Sequence, residues 1–179
     1  GTKWSQAKKV APVSILLSSL GTLITAALTA LFCIFILKFS IMESFLISAI
    51  LSSTDAASVF NILRSKKLNL KYHTASILEI ESGSNDPWAY TLTIVALSLA
   101  KGGVTFGKAA YMFISQIGFG ILIGVAIAIA ALWVLKNITF DSDGFDTIFI
   151  LSVAIFSYAI PTLINGNGYL SCYIVGIVL

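Results

Sequence analysis

Acidic side chains capable of binding a cation or a proton are concentrated in one apolar stretch of this chain. Glu79, Glu81 and Asp86 fall within residues 74–100, whose other residues are nearly all apolar or small. A charged side chain at the centre of a membrane costs about 2.5–3.5 kcal/mol on insertion scales, so an acid at that depth indicates a functional site. The stretch therefore predicts a binding site inside a membrane.

A fourth acid, Asp55, lies in a second apolar stretch, residues 41–63. If both stretches are helices, Asp55 and Asp86 each lie roughly 12–20 Å from the nearer helix end at 1.5 Å per residue. A short Asp side chain cannot reach water from there. Each carboxylate then needs an aqueous cavity, a cation or a proton, although either could instead cap a helix kink or pair with an arginine.

The sequence around both carboxylates weakens a helix. Residues 52–55 read Ser-Ser-Thr-Asp, four side chains that compete for backbone hydrogen bonds. Gly83 lowers helix propensity and Pro87 lacks a donor. We therefore expect broken or kinked helices, whose freed carbonyl oxygens beside carboxylates suit a hard monovalent cation. An oxygen site without sulfur or clustered histidine disfavours zinc and copper.

If Asp86 holds either a proton or a cation, and the site opens to one side at a time, the two ions move in opposite directions. Glu79 and Asp86 are seven residues apart and share a helix face, whereas Glu81 points away from Asp86. Glu79 also lies within about two turns of its helix end. We expect it to form a structural ion pair with an arginine.

The composition predicts an all-α integral membrane protein. Of the 179 residues, 58% are hydrophobic and 11% are charged, against about 25% charged in soluble domains. The apolar runs are too long, and too little alternating, for a barrel. Five complete spans and part of a sixth are expected, so the chain looks like a fragment of a longer membrane domain. The predicted spans are residues 10–37, 41–63, 74–100, 109–135, 145–164 and the partial 169–179.

The positive charges predict the orientation. Eight of the eleven Lys and Arg residues fall on one side of the predicted spans, and the positive-inside rule places that side in the cytoplasm. The basic lead-in, residues 1–9, and the loop from Arg64 to Lys71 would then be cytoplasmic. No nucleic-acid partner is needed to explain the net charge of +3.

Two further sequence features have ordinary explanations. Cys33 and Cys172 both lie in apolar runs, where a small buried side chain is more common than a disulfide or a metal ligand. Gly120 and Gly124 have the spacing of close helix approach. We favour ordinary membrane-helix glycines over a dedicated dimer contact, because such glycines are frequent in spans.

Four sequence blocks carry a family resemblance. They are ILSSTDAASVF at 50–60, LRSK at 63–66, LEIESGSNDP at 78–87 and GNGYLSCYIVG at 166–176. In order and spacing, the chain resembles the NhaP-type branch of the monovalent cation/proton antiporter-1 family, and within it the bacterial potassium/proton antiporters. Many relatives have proline where this chain has Ala56.

The resemblance implies a larger inverted-repeat fold with a transporting core, a dimerisation domain and an elevator-like motion. Residues 10–100 would be half of the core, 101–136 a linker helix, and 137–179 the truncated start of the second repeat. The full-length protein would be a homodimer in lipid, with the missing second repeat and possibly a C-terminal nucleotide-sensing domain. No cofactor is implied besides the transported alkali cation and proton.

The resemblance also implies a role for each polar residue. Asp86 would carry the proton or cation, Thr54 would offer its main-chain carbonyl, and Asn85 would orient neighbouring groups. Glu79 would pair with a core arginine of the other repeat, and the Asn-Asp pair is associated with electroneutral exchange. The site is completed by Asp55, Glu81 and Ser82.

Other membrane proteins with paired acids fit less well. An intramembrane aspartyl protease needs Tyr-Asp and Gly-x-Gly-Asp contexts, which are missing, and a zinc protease needs H-E-x-x-H, also missing. The sequence thus predicts a transporter and not an enzyme. A ligand-gated or proton-sensitive cation channel subunit stays open as an alternative, and the sequence does not select potassium over sodium.

Overall fold

The computed structural model describes residues 4–65, 70–71, 74–138 and 144–179. Within those ranges every regular element is a helix, which confirms the all-α prediction. The chain divides into two compact units, residues 1–104 and 105–179. Residues 1–3 of the lead-in and 66–69 of the predicted cytoplasmic loop lie outside the described residues.

The first unit begins with one long, continuous apolar helical segment. Helix α1 (Trp4–Leu16) runs through a π-helical turn (Leu17–Gly21) into α2 (Thr22–Phe35), and the backbone keeps helical dihedral angles at both junctions of the π turn. Pro12 is accommodated inside α1. This helical segment corresponds to the predicted first span.

The second predicted span is two short helices. Helix α3 (Ile41–Leu51) starts at a capping box, in which Ser40 and Glu43 satisfy each other's backbone N–H groups. It ends at the polar residues 52–55, and α4 (Ala56–Ser65) follows. The expected helix break is therefore present at this position.

The third predicted span is the single helix α5 (Thr74–Ala100), with the bounds expected from the sequence. The helix continues through Gly83 and Pro87, so the interruption expected there is absent. A proline inside a helix loses one backbone hydrogen bond and crowds the carbonyl four residues back, but α5 packs against α1, α3 and α4. That packing outweighs the local loss, as tertiary contacts commonly override propensity.

The second unit contains α6 (Phe106–Asn137), α7 (Phe145–Leu163) and α8 (Gly168–Val178). Its buried core is made of small and β-branched residues: Ala128, Ala131, Val153 and Val175. A Cβ on Gly120 would lie 2.9 Å from the Asn167 carbonyl oxygen, and one on Gly124 would lie 2.9 Å from the Ser171 Cα. The two glycines thus allow α6 to contact the α8 backbone within the chain.

Three helices of the described part are long and apolar enough to cross a membrane: Lys9–Phe35, Phe106–Asn137 and Phe145–Leu163. Helices α3 and α8 are apolar but shorter. Helix α5 has the length, but its acids make it more polar than these three. Cys33 and Cys172 are both free, as expected. The chain is an all-helical membrane protein, and the candidate site lies where the junction of α3 and α4 meets α5.

Candidate functional site

The gap between α3 and α4 forms because side chains satisfy the backbone on both sides of it. Ser52 Oγ donates to the Ala49 carbonyl at 2.8 Å, a bond that competes with the helix ladder. Asp55 then starts α4: its Oδ1 accepts from the Ala57 N–H at 2.9 Å, and its Oδ2 accepts from Ser58 Oγ at 2.5 Å. Asp55 is therefore an N-cap residue.

A hydrogen-bonded network joins this gap to α5. Asn85 Nδ2 donates to Thr54 Oγ1 and to Glu81 Oε1 at 3.2 Å. Thr54 Oγ1 donates to Ser82 Oγ at 3.4 Å, and Ser82 Oγ donates to Glu81 Oε2 at 3.1 Å. Ser82 and Asn85 are each 1% exposed. The network fixes the polar face of α5 against the gap.

Asp86 faces an open cavity beside this network. The cavity has a volume of about 480 Å³ and is lined by Ser53, Thr54, Asp55, Ala57 and Asp86. Asp86 is exposed, and its Oδ1 accepts a hydrogen bond from Ser53 Oγ. Ser53 Oγ also lies 3.2 Å from Asn85 Oδ1. Two carboxylates, Asp55 and Asp86, thus line one water-accessible space.

Small polar residues on the neighbouring helices allow α5 to approach closely. Ser14 Oγ on α1 donates to the Ile77 carbonyl on α5 at 3.3 Å. Helix α3 has a similar series at four-residue spacing, which places its members on one face. The fully or almost fully buried members of the two series are Ser14, Ser18 and Thr22, and Ser44, Ser48 and Ser52. Both series lie on elements that pack against α5.

The structure brings most of the sequence-predicted site residues together. Thr54, Glu81, Ser82 and Asn85 form one network, and Asp86 lies beside it. Asp55 lines the same cavity, but both of its carboxylate oxygens bond within α4. Glu79 is half-buried two turns earlier on α5, and its pairing with an arginine stays a prediction.

Two hydroxyl groups at the site were given no role by the sequence reasoning. Ser53 donates to Asp86 and Ser58 donates to Asp55. Ser58 follows Asp55 by three residues, the spacing of a helix N-cap and its N3 position, so this pair had a readable signal. For Ser53 the sequence offers no signal except its position next to Thr54. A side chain in a helix gap has no periodicity from which its direction could be predicted.

The sequence matches known proteins along most of its length. A family profile described as "Sodium/hydrogen exchanger, transmembrane" matches residues 1–179. The chain is 36% identical over 166 residues to the K(+)/H(+) antiporter NhaP2 of Shewanella baltica, covering 91% of this chain and 28% of that protein.

A second relative is the K(+)/H(+) antiporter NhaP of Alkalimonas amylolytica, 34% identical over 168 residues, covering 93% of this chain and 29% of that protein. The chain thus spans less than a third of the length of these curated relatives. The membrane-length helices of the structure are consistent with a match to a transmembrane family along all 179 residues. The chain belongs to the transmembrane sodium/hydrogen exchanger family.

Proposed function

We propose that the complete protein exchanges a monovalent alkali cation for protons across a membrane, with Asp86 as the group that holds either ion. The cavity lined by Asp55 and Asp86 at a helix gap is the observation that carries this proposal. Relatives named K(+)/H(+) antiporters favour potassium as the first cation to test. The activity belongs to the whole protein, of which this chain is part.

The groups around the cavity have the chemistry of an alkali-cation site. Oxygen is the ligand type that hard cations prefer, and the residues that line the cavity include two carboxylates and two hydroxyl side chains. The gap also contains the C-terminal end of α3, whose helix dipole attracts a cation. Asp55 caps the N-terminus of α4 and so offsets the positive end of that dipole.

Exchange requires that Asp86 release one ion before it takes the other. Asp86 is exposed to the cavity, so a proton or a hydrated cation can reach it. The partly buried network of Thr54, Glu81, Ser82 and Asn85 supports the site by holding the α5 face in register with the gap. If the site opens to one side at a time, a carboxylate that holds one ion or the other couples their opposite movements.

The remaining assignments follow from the family and are part of the proposal. Residues 10–100 form half of the transporting core, 101–136 the linker helix, and 137–179 the start of the second repeat. Glu79 forms an ion pair with an arginine of the other repeat. The protein works as a homodimer in the bacterial inner membrane, with the lead-in and the loop from Arg64 to Lys71 in the cytoplasm.

The test is cation-dependent proton release from vesicles that contain the complete protein. We expect potassium or sodium to dissipate an imposed pH gradient, and Asp86→Asn to reduce the rate to background. Asp146→Asn is the matched control, because Asp146 is an exposed acid in the first turn of α7. Exchange undiminished in Asp86→Asn would contradict the proposal, and cation current without proton movement would indicate a channel.

A further inference from the structure

The hydroxyl group of Ser53 lies between two side-chain acceptors. It donates to Asp86 Oδ1 and lies 3.2 Å from Asn85 Oδ1. A serine hydroxyl has one hydrogen to donate and two lone pairs that accept. Ser53 can therefore donate to only one of the two residues at a time, and a turn about its C–O bond transfers the hydrogen between them.

We propose that Ser53 is a further residue of the cation site, acting in two orientations; this inference rests on the proposed function. In the first, the hydroxyl donates to Asp86 and holds its carboxylate toward the cavity. When an alkali cation binds Asp86, the hydrogen turns to Asn85 Oδ1. The Ser53 oxygen then presents a lone pair to the cation.

The hydrogen bonds of Asn85 favour the second orientation, because they direct its Oδ1 toward Ser53. Asn85 Nδ2 donates to Thr54 Oγ1 and to Glu81 Oε1, so its two amide hydrogens are engaged. Its Oδ1 is thereby fixed on the side that faces Ser53. Because Asn85 is 1% exposed, its oxygen keeps this direction without competition from bulk water.

Ser53 is free to turn because it lies in the gap between α3 and α4. Several serines of the first unit, such as Ser52 and Ser84, donate to a carbonyl three or four residues back along the chain. Ser53 Oγ instead contacts two side chains of α5 and approaches the carbonyl of the next residue, Thr54, at 3.4 Å. Ser53 also lines the cavity, where a cation would reach it.

The other carboxylates of the site do not compete for this hydrogen. Asp55 accepts from Ala57 and Ser58, and Glu81 accepts from Ser82 and Asn85. Asp86 is the acid that Ser53 contacts. The hydroxyl is therefore matched to the residue proposed to bind the transported ion.

The experiment measures KM and maximal rate for potassium and sodium in vesicles containing the complete protein. For Ser53→Ala we expect KM to rise roughly tenfold, the size of one hydrogen bond to a charged group, with the maximal rate within about twofold. Ser53→Thr keeps the hydroxyl and should restore KM to within about threefold. Ser98→Ala is the control, because Ser98 on α5 donates only to the Ile94 carbonyl.

A second measurement does not depend on transport. Potassium or sodium should raise the unfolding temperature of the purified protein, and Ser53→Ala should need roughly tenfold more cation for the same rise. If the alanine variant does not fold, Ser53→Gly carries the test, since glycine suits a non-helical gap. A KM equal to that of Ser98→Ala overturns the role of Ser53, whereas an active Asp86→Asn, or cation current without proton movement, overturns the proposed function.

Discussion

The two helices that meet at the site respond differently to sequences that weaken a helix. The chain leaves helical geometry after Leu51 and resumes it at Ala56. Helix α5, by contrast, continues through Gly83 and Pro87. Residues unfavourable to a helix occur in both places, so weakening alone does not decide where a span breaks.

The difference lies in whether a new helix can start. At the gap, Ser52 captures a carbonyl of the ending helix and Asp55 caps the next one. In α5 no such start follows Pro87. The hydroxyls there donate to carbonyls four residues back, as Thr91 does to Pro87 at 2.9 Å and Ser84 to Ile80 at 2.6 Å. A break in a span requires a stop signal and a start signal together.

The largest effect is expected when residues 52–55 are replaced by four alanines, because this change removes both the stop signal and the start signal at the gap. With no competing side chain and no cap, we expect α3 and α4 to join, and exchange by the complete protein to fall roughly hundredfold because the site is displaced. Amide hydrogen exchange at 52–56 should become slow, as in a continuous helix. Alanine at both Ser98 and Leu99 serves as control. Fast amide exchange in the quadruple variant would refute the explanation.

The link between the two helices is tested by Thr54→Val. The substitution removes the acceptor of Asn85 Nδ2 and leaves a buried amide hydrogen without its partner, which costs about 1–3 kcal/mol. We expect a lower unfolding temperature in detergent. Thr93→Val is the control, since Thr93 Oγ1 donates to the Ala89 carbonyl of its own helix. Equal losses in both variants would mean that the cross-helix bond contributes little.

The start signal is tested by two substitutions of Asp55. Asp55→Ala removes the cap of α4 and should cost about 0.5–2 kcal/mol of stability. Asp55→Ser retains a capping oxygen without the charge, so it should be nearly as stable as the parent protein. Thermal unfolding measures the contribution of the cap to stability. The rate of cation/proton exchange by the serine variant shows whether transport needs the Asp55 charge. An alanine variant as stable as the serine variant would exclude capping as the role of Asp55.

The smallest effect is expected for Pro87→Ala. The change restores a backbone N–H within a helix that is already continuous, but it also removes buried contacts, because Pro87 is buried. The two effects oppose each other, so stability should change by no more than about 1 kcal/mol. The rate of cation/proton exchange by the complete protein should stay within about twofold of the parent rate. A loss of exchange as large as that of the quadruple alanine variant would show that Pro87 is needed for the site.

The sequence predicted those features that depend on neighbouring residues. The bounds of α5 and the gap at 52–55 follow from apolar run length and from side chains that compete with their own backbone. The capping role of Asp55 was one of the alternatives left open. The direction of the Ser53 hydroxyl could not be predicted, because it depends on a helix more than thirty residues away.

Contacts between distant helices were equally hidden from the sequence. The spacing of Gly120 and Gly124 predicts close approach to some helix, but only the fold identifies α8 as the partner. The continuity of α5 was missed for the same reason. Its packing against α1, α3, α4 and their neighbours has no local signature around Pro87.

The short length of α3 has a consequence for biogenesis. Eleven residues extend about 16 Å at 1.5 Å per residue, about half of the roughly 30 Å hydrocarbon layer. Helix α5 is long enough but carries three acids, so neither element is a favourable span by itself. We therefore expect them to partition into the bilayer together, after α5 has been synthesised. The bonds from Asn85 to Thr54 and from Ser53 to Asp86 are therefore also assembly contacts, and losing them should reduce the yield of inserted protein.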